Sequence, residues 1–156
     1  MSIVVERVES ATEEARALIT ALEAELSGQY ELYHRHGLSI EQVFLPGIRF
    51  FVARLDGAAV GCGAIACDDG FAELKRMYVR PELRGRGVVQ AILARLEAEA
   101  SAQGYTRLTL ETGDGLHAAI RVYERAGFRR CSAFGAYVTK PAHTIERSLF
   151  FEKGIG

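Results

Sequence analysis

Apolar positions change their period several times along this chain, and each change marks an element. Ile3–Val8 is short and rich in β-branched residues, a strand. Leu18, Ile19, Leu22 and Leu26 then recur at helical spacing; Ser10 is placed to cap that helix with Glu13 as its capping-box partner, and Gly28 to end it. Tyr30–Leu38 is an irregular connection, after which Ser39 and Gln42 predict the cap of a short second helix. Arg49–Leu55, Ala58–Cys67 and Phe71–Val79 read as strands, and the Asp56-Gly57 and Asp68-Asp69-Gly70 turns between them predict an antiparallel meander. Pro81 stops the third strand. From Gly87 a helix places Val89, Ile92, Leu93, Leu96 and Ala100 on one face and ends near Gly104. Thr106–Leu110 alternates as a strand, and a helix over about Leu116–Ala126 stacks Leu116, Ala119, Ile120 and Tyr123 before Gly127 closes it. Phe128–Cys131 and Arg147–Glu152 are two last strands around a loop containing Pro141. The order β-α-α-β-β-β-α-β-α-β-β describes one mixed α/β (α+β) domain over residues 1–156, with a right-handed parallel crossover from Phe71 to Leu110.

Composition narrows the classes of function. Hydrophobic residues are 49% and charged residues 25%, the balance of a folded globular chain. No apolar run reaches the ~18–20 residues of a membrane span, and Met1–Ser10 lacks the apolar core of a signal peptide. The expectation is no membrane partner. Three cysteines (Cys62, Cys67 and Cys131) make no disulfide framework, so a cytoplasmic location is expected. Cys62 and Cys67 fall on opposite faces of one strand, as small core residues. His34-Arg35-His36 lacks further ligands at metal-binding spacing, so no metal is expected. The net charge of −1 argues against nucleic acid. That mean conceals a segregation: Glu6–Glu31 sums to −5, whereas Lys75–Arg86 (Lys75, Arg76, Arg80, Arg84, Arg86 against Glu82) sums to +4. Phe150 and Phe151 are expected to be exposed on the last strand, which favours a homodimer.

The basic stretch contains the first candidate site. Arg84-Gly85-Arg86-Gly87-Val88-Val89 joins a strand to an amphipathic helix. Glycines there let backbone amides approach a ligand, the helix start adds unsatisfied N–H groups, and the arginines add donors that fit phosphate. A phosphate or pyrophosphate site is the physical expectation. The stretch is not a P-loop, because Gly-x4-Gly-Lys-Ser/Thr is absent, and Gln90 stands where a dinucleotide fingerprint needs its third glycine. It does resemble the acyl-CoA signature Arg/Gln-x-x-Gly-x-Gly/Ala of the GNAT superfamily of N-acyltransferases, departing at Val89, which fits the helix's apolar stripe. Ala119-Ile120-Arg121-Val122-Tyr123-Glu124-Arg125-Ala126-Gly127-Phe128 is similar to a second segment of that family, Ala-x-x-x-Tyr-x-x-x-Gly-Phe. Leu116 departs from the polar residue many members carry there. Leu110–Gly113 (Leu-Glu-Thr-Gly) and Phe134–Tyr137 (Phe-Gly-x-Tyr) resemble runs in bacterial members.

The resemblance implies a GNAT-like fold, a mostly antiparallel sheet with a central splayed parallel pair and helices on both faces. It implies acetyl-CoA as cosubstrate, its pantetheine arm beside Met77, Tyr78 and Val79 and its pyrophosphate on the amides of Arg84, Gly85, Arg86, Gly87, Val88 and Val89. Tyr123 would protonate the departing thiolate. Glu111 and Glu73 are the candidate bases, Glu111 ranked first and a water relay able to use both, with His34, His36 and His117 behind them. The acceptor, a small-molecule or peptide amine, would enter between Gln29–Ser39 and Cys131–Thr144. Attack would be direct, without an acyl-enzyme. The expected function is acetyl-CoA-dependent N-acetyl transfer; the alternatives are a catalytically inactive CoA-binding sensor, kept open by Val89 and Leu116, and a nucleotide-binding oxidoreductase, disfavoured by Gln90.

Overall fold

In a computed structural model, residues 2–156 form seven strands in one sheet, flanked by helices on both faces. Strands β1 (Ile3–Val8), β2 (Ile48–Leu55), β3 (Ala58–Cys67) and β4 (Ala72–Val79) run antiparallel in sequence order; β5 (Arg107–Gly113) follows β4 in parallel; β7 (Ser148–Gly154) is antiparallel to β5, and the two-residue β6 (Arg129–Arg130) forms the far edge. The sheet order is β1-β2-β3-β4-β5-β7-β6. Asp56 and Gly57 both take positive φ, 50° and 90°, the conformation a two-residue turn needs to match the strand twist.

Helix α1 (Glu13–Ser27) covers one face, burying Leu18, Ile19 and Leu22 against Phe50, Val52 and Cys62. Helices α2 (Val88–Ala102) and α3 (His117–Arg125) cover the other, with Ile92, Leu96 and Tyr123 packed among Phe51, Ile65, Leu108 and Phe151. Cys62 and Cys67 do fall on opposite faces, Cys62 in the α1 core and Cys67 against the α2 core. Full burial pushes the Cys62 thiol up to about 12, which leaves it inert at neutral pH.

Three local expectations are corrected. Thr12, not Ser10, caps α1: its hydroxyl accepts from the Ala15 amide at 3.1 Å, because the helix starts only at Glu13. Ser39 and Gln42 do exchange capping-box bonds, the Ser39 amide to Gln42 at 2.8 Å and the Gln42 amide to Ser39 Oγ at 3.2 Å, but they close a single 3₁₀ turn over Gln42–Phe44 that Pro46 and Gly47 curtail. Phe150 and Phe151 are 8% and 1% exposed, because β7 lies between β5 and β6 instead of at an edge. Phe150 packs with Phe71, Phe134 and Tyr137 in a third small cluster, and a short helix α4 (Ala142–Ile145) closes that loop. The apolar argument for a homodimer therefore fails.

The feature that makes a site is where β4 and β5 stop pairing. They are in register only at Ala72–Leu74 against Leu108–Leu110. Beyond that the strands part. Part of the reason lies in β4, where Cys62 faces Tyr78 but Ala64 faces Lys75, so Arg76 and Met77 together oppose Gly63. This is a β-bulge, and Arg76 adopts a left-handed φ of 54°. A non-glycine residue is held there from three sides. Cys62 Sγ donates to the Arg76 carbonyl at 3.2 Å, Glu23 on α1 takes the guanidinium (2.6 Å from Nη2), and Gly37 lies so close over it that a β-carbon would collide. Glu23→Ala leaves that buried cation without its carboxylate and is expected to cost about 1–3 kcal/mol, read as a lower urea midpoint with unchanged slope.

Candidate active site

The parting of β4 and β5 opens a cleft of about 680 Å³. One wall is β4 from Glu73 to Val79, continuing into Leu83–Gly85 and Val89; the other is Leu110–Gly113 of β5 with Leu116–Ala119, Val122 and Tyr123 of α3. Gln29, Tyr30 and residues 34–37 close one end. On the side toward β5, Lys75–Val79 have no strand partner, so this edge of β4 is free to bind an extended ligand.

At the other end the glycine turn behaves as its sequence requires. Gly85 and Gly87 have φ of 78° and 86°, and a β-carbon on either meets nothing within 4 Å, so it is the backbone conformation and not space that demands glycine. Gly87 is the N-cap of α2 and supplies no side-chain cap, which leaves the first-turn amides for solvent or an anion. The five cations do not form one patch. Lys75 and Arg76 are engaged in the cleft floor, and Arg84 folds back to the Val79 carbonyl (2.9 Å) and Glu25 (2.7 Å), with its guanidinium over the Tyr78 ring. Arg80 and the exposed Arg86 have no ion-pair partner among the described residues. Val89 serves two surfaces, packing against the α2 core and lining the cleft. Leu116 also lines the cleft, as the N-cap of α3, and contributes no polar contact.

Tyr123, Glu111 and Glu73 all face the same cleft. Tyr123 is 8% exposed, packed edge-on against Phe128, and its hydroxyl has no hydrogen-bond partner among the described residues. Burial first, and then the charge of Glu111, pushes its pKa well up, so it is a neutral donor at any working pH. Glu111 accepts one bond, from Ser148 Oγ at 2.6 Å. Burial raises its pKa against the weaker lowering effect of that bond, which moves it toward neutrality. Glu73 is differently placed: Tyr137 donates to it at 2.7 Å and Lys75 Nζ stands at 3.3 Å.

Several residues of this region were not singled out by sequence. Tyr137 reaches Glu73 from the loop before β7; its Phe-Gly-x-Tyr run was visible, but not that Gly135 sits under the Phe71 ring and so brings the loop down. Tyr30 accepts from the Gly115 amide at 2.8 Å and packs where a side chain on Gly113 would collide, which ties the start of the connection to β5. His36, which the sequence did offer as a weaker candidate base, donates through Nε2 to the Thr144 carbonyl at 2.7 Å, and burial lowers its pKa. Of residues 131–144, expected as an acceptor wall, Cys131, Ala133, Phe134 and Tyr137 pack around Phe71 and Phe150, and Tyr137 reaches Glu73 of the cleft. No cluster of three metal-ligating side chains occurs among the described residues.

Known proteins share this architecture. The family model described as Acetyltransferase (GNAT) family matches residues 12–128. An IAA acetyltransferase from Azospirillum brasilense is 41% identical over 138 residues, 87% of each chain. A Klebsiella pneumoniae structure of the acyl-CoA N-acyltransferase type superposes with TM-score 0.78 at 34% identity, covering 99% of this chain and 98% of that one. The PaiA N-acetyltransferase of Thermoplasma acidophilum, solved in complex with coenzyme A, has the same fold (TM-score 0.74, 19% identity, 99% of both chains). With the splayed β4–β5 pair, the glycine turn and a family match across both, the chain belongs to the GNAT family of acetyltransferases.

Proposed function

We propose that the protein transfers an acetyl group from acetyl-CoA to a primary amine by direct attack within a ternary complex. The observation that carries this reading is the juxtaposition in one cleft of a free strand edge, a tyrosine hydroxyl without a partner among the described residues, and the carboxylate of Glu111, which accepts from Ser148. The pantetheine arm would extend β4 as an added strand beside Met77–Val79. The bulge at Arg76 turns the backbone there out of the regular ladder, so the amide near Met77 is the natural donor for the thioester oxygen, and for the negative charge it gains on attack. The amides from Arg84 to Val89 suit the pyrophosphate, with Arg80 and Arg86 as the unpaired cations nearest in sequence.

In the transfer, the amine nitrogen bonds to the thioester carbon and the carbon–sulfur bond breaks. Glu111 takes the proton the nitrogen loses, and Tyr123 gives its phenolic proton to the departing sulfur. Both groups are then restored by proton exchange with solvent. Glu111 is the better base because Glu73 already has Tyr137 and Lys75 as partners. Glu73 has the role of fixing that wall of the cleft.

Acetyl-CoA is expected to raise the melting temperature, and amines of the right shape to release free CoA thiol. Gly87→Glu is expected to raise the Kd for acetyl-CoA at least tenfold, because it adds a carboxylate and a strained left-handed side chain at the helix start. Isothermal titration checks this, and an absence of binding by the unmodified protein would overturn the whole reading.

A further inference from the structure

The ion pairs around the cleft do not cancel. Glu73 is matched by Lys75 at 3.3 Å, and Glu25 by Arg84 at 2.7 Å. Glu23 is shared by two arginines, its Oε2 2.9 Å from Arg35 and its Oε1 bonded to Arg76. One carboxylate between two guanidiniums leaves a positive charge in excess. Arg76 cannot deliver that charge to a ligand, because its side chain is 2% exposed and lies beneath Gly37. Arg35 can. It lines the cleft, its side chain is 16% exposed, and its Nη2 has no hydrogen-bond partner among the described residues.

A second cation reinforces it. Lys140 has no ion-pair partner among the described residues, and its charge acts on both Glu111 and His36. Glu146 on this side is bonded to His34 at 2.8 Å. Arg35 is thus a cleft-lining cation with a donor left over and only a shared carboxylate against it. Such a group favours an amine that also carries an anion over a simple alkylammonium or a polyamine.

We propose that the acceptor is an amine bearing a carboxylate, of the amino-acid class, and that Arg35 holds this carboxylate through Nη2 while the amine is presented to Glu111. The proposal rests on the acetyl-transfer reading above and specifies its second substrate. A guanidinium suits the task because its planar donors match carboxylate geometry and its charge does not titrate.

The experiment compares free amino acids with their α-amides and side-chain amides in a thiol-release assay with acetyl-CoA. At least one carboxylate-bearing amine is expected to exceed its amide by about tenfold to a hundredfold in kcat/KM, the scale of one charge-assisted contact. The amide's amine is the less basic, so amine ionisation biases the comparison against this result. Arg35→Gln is expected to collapse that ratio toward one, and Arg35→Lys to restore part of it. A merely structural role for Arg35 would lower both substrates together and leave the ratio intact, which would overturn the assignment. Equal use of amides and acids, or a preference for polyamines, would overturn the proposal while acetyl transfer itself stands. If acetyl-CoA produced no thermal shift, the parent reading would fail and the acceptor proposal with it.

Discussion

Tyr123→Phe is expected to lower kcat by about a hundredfold to ten-thousandfold while leaving acetyl-CoA binding and the melting temperature nearly unchanged. The separation of effects follows from the surroundings of the side chain. The ring is packed edge-on to Phe128 within the α2–α3 core, and phenylalanine keeps that packing. The hydroxyl has no protein partner among the described residues, so its removal breaks no internal hydrogen bond. What is lost is a proton donor facing the cleft. Its pKa, pushed up by burial and by the charge of Glu111, keeps the phenol protonated, so an O–H donor is in place when negative charge builds on the departing sulfur. Single-turnover thiol release measured beside calorimetric binding checks this: a kcat within threefold of the unmodified protein would remove Tyr123 from the mechanism.

Glu111→Gln is the second large effect, and it carries a sign that a purely structural residue would not. Loss of the base is expected to lower kcat/KM by about a hundredfold or more. In the unmodified protein the acid limb of the pH–rate profile is expected above the ordinary glutamate range, because burial raises the Glu111 pKa. Activity needs the ionised form and so falls as pH drops through that raised value. Stability runs the other way. A carboxyl whose folded pKa is raised stabilises the fold below its unfolded pKa, and that contribution is lost as pH rises through the folded value. At neutral pH the ionised carboxylate is a burden on the fold, and glutamine, which still accepts from Ser148, removes it. The variant is thus expected to be less active and slightly more stable at pH 7, by a few degrees at most. A lower melting temperature together with an unshifted acid limb would assign Glu111 a structural role.

Much of this site could be anticipated without coordinates. The positive φ at Gly85 and Gly87 is a local necessity of a tight strand-to-helix turn, and Gly-x-Gly states it directly. Tyr123 stood on the apolar stripe of a helix whose capping glycine was evident. The meander of β2, β3 and β4 followed from alternation and from Asp-Gly turns. Where local signals competed, they misled: Ser10 and Thr12 are both capping residues, and only the start of the helix at Glu13 selects between them.

By itself, the sequence determined the order of the strands and of the three long helices, the glycine turn, and which strands and helix carry Tyr123, Glu111 and Glu73, because those depend on contacts a few residues apart. Lys75, two residues on and on the same face, was a local hint that Glu73 is engaged, and tertiary structure completed it. Glu73 is engaged by Tyr137, 64 positions away, and Lys75 also joins it. Tertiary structure alone decided the meaning of the +4 stretch, since Glu23 and Glu25 of the acidic first helix fold onto Arg76 and Arg84. Charge pairing depends on which faces meet across the sheet, and no local pattern records that.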